Sequence, residues 1–230
     1  MHKNKKKEEE KMKSIAIDGP AGAGKSTIAR ILAKKMGYIY VDTGAMYRSM
    51  ALACLRKKID KNDEKAVCEV CEKADIAIRY ENGEQVVLLN QENVNGFIRT
   101  EEVGNITSAI AVYPEVREKL VELQRKLADE ENVVMDGRDI GTTVLPNADT
   151  KIFLTASVEV RAQRRYLELK EKNISCNLEE IEKDIKERDD RDSHREVSPL
   201  AQANDAILVD ASDLTINEVV DKIMTIASKK

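Results

Sequence analysis

Two rhythms of apolar residues alternate along this chain. Short aliphatic runs are separated by longer stretches in which apolar positions return every three or four residues. The first short run is 14–17, closed by Asp18, and the first helical stretch is 27–36. Gly37 stops that helix and 38–41 reads as the next strand. Asp42-Thr43-Gly44 reads as a turn into a helix over 45–56, with Met46, Met50, Ala53 and Cys54 on one side. A further helix covers 63–74. The period then changes to two. Residues 76–80 alternate, Asn82-Gly83 carries a hairpin signal, 85–89 form the return strand, and Val94 belongs to a third short one. This small antiparallel patch, about 76–98, reads as an insertion. Helices follow over 100–112 and 114–129, the second with Pro114 in its first turn. Strands are expected at 132–135 and 151–154, two highly charged helices at 158–172 and 178–194, a last strand at 206–209 and a last helix at 215–227.

Five strands separated by helices predict an α/β fold built on a doubly wound, five-stranded parallel sheet. Ligands of such sheets bind beyond the carboxyl ends of the strands. Asp18, Asp42 and Asp136 each stand at such an end, so three distant stretches are expected to converge.

Between the first strand and the first helix lies Gly19-Pro20-Ala21-Gly22-Ala23-Gly24-Lys25-Ser26-Thr27. The spacing Gly-x-x-x-x-Gly-Lys-Ser, in strand–loop–helix context, is that of a phosphate-binding loop. Glycines let the backbone wrap a polyphosphate with its N–H groups pointing inward, and the helix adds the positive end of its dipole. Lys25 is placed to reach the β- and γ-phosphates of a bound nucleotide, and the Ser26 hydroxyl to ligate Mg²⁺.

Composition narrows the partners. Of 230 residues, 42% are hydrophobic and 35% charged, which suits one α/β domain with a modest insertion and a highly charged surface. Aromatics make up 3% and Trp is absent, so stacking platforms for single-stranded nucleic acid are scarce. A net charge of −4 supplies no basic field for nucleic acid or anionic membrane. No apolar run is long enough for a membrane span or a signal peptide. A soluble, monomeric, cytoplasmic protein is expected. Residues 1–13 are almost wholly charged and are expected to be a disordered lead-in to a single domain over 14–230. Cys68-x-x-Cys71 has no second pair and no histidine at ligand spacing, which favours packed thiols over zinc.

Asp136 follows the apolar Val133-Val134-Met135. It is placed either to cap the next turn or to meet the water shell of the Mg²⁺. Arg161, Arg164 and Arg165 share one helix face, and Arg188, Asp192 and Arg195 another. Such faces are either solvated and laced with ion pairs or turned toward phosphate; the phosphate loop favours the second reading, because phosphoryl transfer between anions needs positive charge around the moving group. A hydroxyl acceptor needs a base, whereas a phosphate monoester is already largely dianionic at neutral pH. The chain has no histidine at a strand end, which favours a phosphate acceptor. A GTPase-type switch would carry an Asn-Lys-x-Asp element, and none is present.

At this point the residues resemble a family. Asp42-Thr43-Gly44-Ala45-Met46-Tyr47-Arg48 is similar to the D-[ST]-G-A-x-Y-R segment of bacterial cytidylate kinases. So are Asp136-Gly137-Arg138-Asp139-Ile140-Gly141-Thr142, Arg188-Asp189-Asp190-Arg191-Asp192, Arg195 and Ser198-Pro199-Leu200. The likeness is collinear from about Met12 to the C-terminus. Ser26 stands where some members have a smaller residue and Thr43 where many have Ser; both keep the chemistry. The resemblance implies transfer of a phosphoryl group from ATP to CMP or dCMP with Mg²⁺. It implies that Thr43 and Arg48 hold the CMP phosphate and sugar region, with Tyr47 in support. It implies that Ser108, Arg117 and Asp139 face the cytosine and that Arg138 neutralises phosphate. Arg188, Asp192 and Arg195 would approach the acceptor's ribose and phosphate. Arg161, Arg164 and Arg165 would belong to a mobile lid, about 157–176, closing over ATP. The antiparallel insertion would be the CMP-binding insert. A carboxylate such as Asp139 accepts a hydrogen bond from cytosine's exocyclic amine, where uracil presents a carbonyl.

Overall fold

The computed structural model describes residues 12–229, so the charged segment 1–11 lies outside the described residues. Lys13 is already tied into the molecule. Its backbone N–H donates to Asn132 Oδ1 at 2.6 Å and its carbonyl accepts from Val133 N at 2.9 Å.

β1 (Ser14–Asp18) is the middle strand of a five-stranded parallel sheet. It is flanked on one side by β6 (Val133–Gly137) and β2 (Ile39–Asp42), and on the other by β7 (Thr150–Thr155) and β8 (Ile207–Asp210). A strand covered on both faces reads as a continuous apolar run, which is why Ile15-Ala16-Ile17 shows no alternation. Successive residues nevertheless serve different layers. Ile15, Ile17, Val134 and Leu154 pack against α1 (Lys25–Met36) and α8 (Ile216–Ala227). Ala16, Val41, Val133 and Met135 face α2 (Thr43–Arg56), α3 (Glu64–Lys73) and α5 (Pro114–Glu130). The remaining helices are α4 (Glu101–Ile110), α6 (Val158–Glu171) and α7 (Leu178–His194).

The antiparallel patch is a three-stranded sheet of β3 (Ile76–Glu81), β4 (Glu84–Leu89) and β5 (Glu92–Asn93). Asn82 and Gly83 both take positive φ at its tip, 53° and 80°, as a two-residue turn requires. Val94 lies just beyond β5 and is fully buried. The patch does not form a core of its own. Val87, Leu89, Val94 and Ile98 join the layer around Met46, Met50 and Leu120. It also covers the open edge of β2. Gln85 accepts from Asp42 N at 2.8 Å and donates to Asp42 O at 3.3 Å, while Tyr80 donates its hydroxyl to Tyr40 O at 3.0 Å.

Two local expectations are corrected. Asp42-Thr43-Gly44 is not a turn ahead of the helix: α2 begins at Thr43, because Asp42 caps it by accepting from Ala45 N at 2.9 Å. A single π-type turn, Ile140–Val144, follows β6 where no element was expected. Both oxygens of the Asp18 carboxylate hold it, accepting from Ile140 N and Gly141 N at 2.7 Å each. Cys54 and Cys71 pack in the core, and Cys68 donates to Glu115 Oε2 at 3.4 Å.

Candidate active site

The register of the sheet puts Asp18 opposite Gly137, and Asp42 opposite Asp136, at one level. A cleft of about 270 Å³ opens there. Its donor-side wall is the loop 19–24. At Gly19 (φ 147°) an added Cβ would lie 1.9 Å from the Leu154 carbonyl oxygen, so the loop leaves β1 at a point that only glycine can occupy. Gly24 (φ 92°) opens α1, whose first amides have no side-chain cap. Every other described helix has a capping side chain except α5, which starts with Pro114, and the π-type turn. The free amides of α1 therefore face the cleft mouth as an anion site.

Lys25 is buried and its Nζ donates to Pro20 O at 2.7 Å. Burial, then the neighbouring Arg138 guanidinium, push its ammonium well below the usual lysine range. Ser26 Oγ donates to Asp136 Oδ2 at 2.9 Å, and Tyr40 donates its hydroxyl to Asp136 Oδ1 at 2.8 Å. Thr43 Oγ1 donates to the Asp136 carbonyl at 2.7 Å. Burial raises the Asp136 carboxyl, with Asp42 adding to the effect and Lys25 opposing it. A hard cation needs oxygen ligands and a carboxylate near its water shell. Ser26 and Asp136, already within one hydrogen bond beside Lys25, fit that need.

The opposite wall is cationic. Arg48 comes from α2, Arg117 from α5, Arg138 from the end of β6, Arg188 from α7 and Arg195 from just beyond it. With Lys25 they make six cationic lining residues against four acids, Asp42, Asp136, Asp139 and Asp192. Asp42 is also engaged by Arg99 at 2.8 Å. Arg138 donates to Asp192 at 2.9 Å. Arg117 pairs with Asp139 in the interior, and the other Asp139 oxygen faces Arg195 at 3.8 Å. Arg195 spends its Nε on Ser198 O at 2.6 Å. Arg188 Nε is buried with no partner among the described residues. Burial and neighbouring arginines hold Arg48, Arg188 and Arg195 below their usual range, the Asp42, Asp192 and Asp139 carboxylates opposing in turn. Such a crowd of mutually repelling cations is relieved by an incoming polyanion.

Most expected site residues meet here. Ala21, Gly22, Lys25 and Ser26 line the donor side, and Thr43, Tyr47, Arg48 and Ser108 line the far side with Arg117, Arg138, Asp139, Arg188, Asp192 and Arg195. The Arg161 set is not brought with them. Arg161 is buried beside the loop, Arg164 donates to Ala211 O at 2.8 Å, and exposed Arg165 pairs with Glu168 at 2.8 Å. Tyr40 and Asp18 were not singled out for their contacts. The alternation of β2 and β6 carries a signal for the first, since it puts Tyr40 and Asp136 on the same face of the sheet.

Among solved structures, shikimate kinase from Bacteroides thetaiotaomicron shares this architecture with a TM-score of 0.50 at 14% identity, covering 94% of this chain and 99% of that one. An uncharacterized protein from Eubacterium ventriosum does so with a TM-score of 0.54 at 11% identity, over 95% of this chain and all of the other. At these identities the likeness is one of fold. Sequence relatives carry more. A cytidylate kinase of Lactobacillus gasseri is 53% identical over 216 residues, 94% of each chain. One of Bacillus cereus is 51% identical over 215 residues, 94% of this chain and 96% of the other. The family model described as cytidylate kinase matches residues 15–229, which takes in both walls of the cleft and the sheet that joins them, and the chain therefore belongs to the cytidylate kinase family.

Proposed function

We propose that this protein transfers the γ-phosphoryl group of ATP to CMP or dCMP, giving ADP and CDP or dCDP. The observation that carries the reading is the facing of two anion sites across one cleft: the phosphate loop with Lys25 on one side, and the arginines with an unpartnered Arg188 Nε on the other. No base is needed, because the acceptor phosphate arrives largely ionised.

The open amides of α1 and the loop hold the donor's phosphates. Lys25, released from the Pro20 carbonyl, turns to them and neutralises developing charge. Mg²⁺ bound with ATP would be held by Ser26 and, through water, by Asp136, and would supply neutralisation of phosphate charge. Arg138 and Arg188, on the wall facing the phosphate loop, take the transferring group; Arg188 offers its unpartnered Nε, and Arg138 the part of its guanidinium not held by Asp192. Thr43 and Arg48 hold the acceptor phosphate, with Tyr47 packed behind. Asp192 and Arg195 meet the ribose. Asp139 has one oxygen on Arg117, and its second, which faces Arg195 at 3.8 Å, accepts from the cytosine amine, with Ser108 at the base edge. No described helix is long and apolar enough to cross a membrane.

Asp139→Asn tests the base assignment while keeping an acceptor for Arg117. Its kcat/KM for CMP is expected to fall about a hundredfold, the worth of a hydrogen bond to a charged group. The KM for MgATP is expected to change less than about threefold, since Asp139 lies on the far wall. Equal losses on both substrates in a coupled ADP-release assay would remove Asp139 from the base site.

A further inference from the structure

Arg161 is more enclosed than any other described arginine, and it touches three separate elements. Its Nε donates to Ala156 O, just past β7, at 2.8 Å. One terminal nitrogen donates to Ala21 O, inside the phosphate loop, at 3.0 Å. The other donates to Asp189 Oδ2 on α7 at 2.7 Å. The stem of the side chain lies along Gly22, where an added Cβ would come 3.3 Å from Arg161 Cβ. Asp189 is thus joined to the donor loop through a single side chain. It follows Arg188 directly and precedes Asp192 by three residues, and both of these line the acceptor side. Its other oxygen, Oδ1, is buried with no partner among the described residues.

The geometry points to Asp189 as a positioning residue: through Arg161 it clamps α7 to the phosphate loop and so sets how Arg188 and Asp192, on the acceptor side, stand relative to the donor site. A helix carrying catalytic side chains can rotate about its axis or slide along it. One directed ion pair to the opposite wall restrains both. Desolvation offsets most of the attraction in such a pair, so its net stability is small and its directed geometry is what it adds. The bond from Arg161 to Oδ2 is what directs the carboxylate toward the loop. A misplacement of about 1 Å at reacting groups costs about a hundredfold in rate. The same contacts anchor the first turn of α6, so a lid in this region would have to swing from beyond Arg161.

Two measurements test the clamp on Asp189→Ala and Asp189→Asn. Asp221→Asn, which loses only the exposed pair with Lys35, serves as the control. The first measurement is amide hydrogen exchange in the ligand-free protein, and it is independent of the proposed reaction. Exchange across residues 19–24 is expected to quicken about tenfold in Asp189→Ala, although the substituted residue lies on α7. The second rests on the CMP kinase reading. The kcat with CMP is expected to fall about ten- to a hundredfold in Asp189→Ala and about three- to tenfold in Asp189→Asn, which keeps one acceptor. KM for MgATP is expected to stay within about threefold of wild type, and the control to match wild type. A brace without a positioning role would lower the melting temperature and leave kcat alone. Unchanged exchange at 19–24, or a kcat within about twofold of wild type in a folded variant, overturns the proposal; if Asp189→Ala does not fold, Asp189→Asn decides by the same two readouts. If the wild type turns over no CMP while the loop exchange responds, the acceptor reading falls and the clamp stands.

Discussion

Asp18 shows how one side chain of the site is paid for in stability. It is buried at the end of β1, and both its oxygens accept backbone N–H groups of the π-type turn. Burial pushes its carboxyl up to about 6, against the opposing pull of the Gly141 and Ile140 amides. The folded chain therefore holds this proton more tightly than the unfolded chain does. The resulting stabilisation is fully present below the ordinary carboxylate pKa and is lost as pH rises through about 6. A shift of this size corresponds to about 3 kcal/mol. Asp18→Asn abolishes the dependence, so the gap in melting temperature between wild type and variant is expected to change between pH 5 and pH 7, moving against the wild type as pH rises. A gap that is flat over that range would show that Asp18 does not titrate there. Asp136 illustrates a different economy. Tyr40 and Ser26 hold one oxygen each, so the carboxylate is aimed before any ligand arrives.

Elements reach the cleft because short local rules place their ends there. β1 can pass into the loop only through Gly19, whose missing side chain leaves room for the Leu154 carbonyl. Gly19→Ala has no flexible neighbour to displace, so the loop itself must move. Turnover is expected to fall by at least about a hundredfold, with weakened ATP binding by calorimetry. Near-normal ATP affinity in that variant would mean that the loop tolerates a different exit from the strand. α2 begins at Thr43 because Asp42 caps it, and this early start puts Thr43 and Tyr47 on the cleft side of a helix rather than on a turn. The antiparallel patch seals the edge of β2 with Gln85 and Tyr80, next to the strand end that carries Asp42. Edge strands left open invite pairing with other chains.

At the scale of the whole molecule, local spacing marked the donor loop, whereas the acceptor-side residues that line the cleft were marked by motifs shared with the family. The loop spacing with its flanking strand and helix marked Lys25 and Ser26, and the apolar run before Asp136 marked a strand end. Both are local signals. The pairing of Arg117 with Asp139 joins a helix to a loop and has no local signature. Helical spacing put Arg161, Arg164 and Arg165 on one face, yet Arg161 is buried and the other two are exposed. Depth of burial is decided by what packs on the face, which periodicity does not report. The motifs shared with the family supplied the acceptor's identity, and the fold supplied the reason they matter, by bringing 42–48, 136–142 and 188–195 opposite 19–27. The claim that follows is that one cleft matches a donor triphosphate with a cytosine nucleotide. The most direct measurement is ADP release by the wild-type protein with MgATP and, in turn, CMP, dCMP, UMP, AMP and shikimate. CMP or dCMP is expected to give the highest kcat/KM, by about a hundredfold over AMP and shikimate. Equal rates across the panel, or a preference for a substrate without cytosine, would contradict the account.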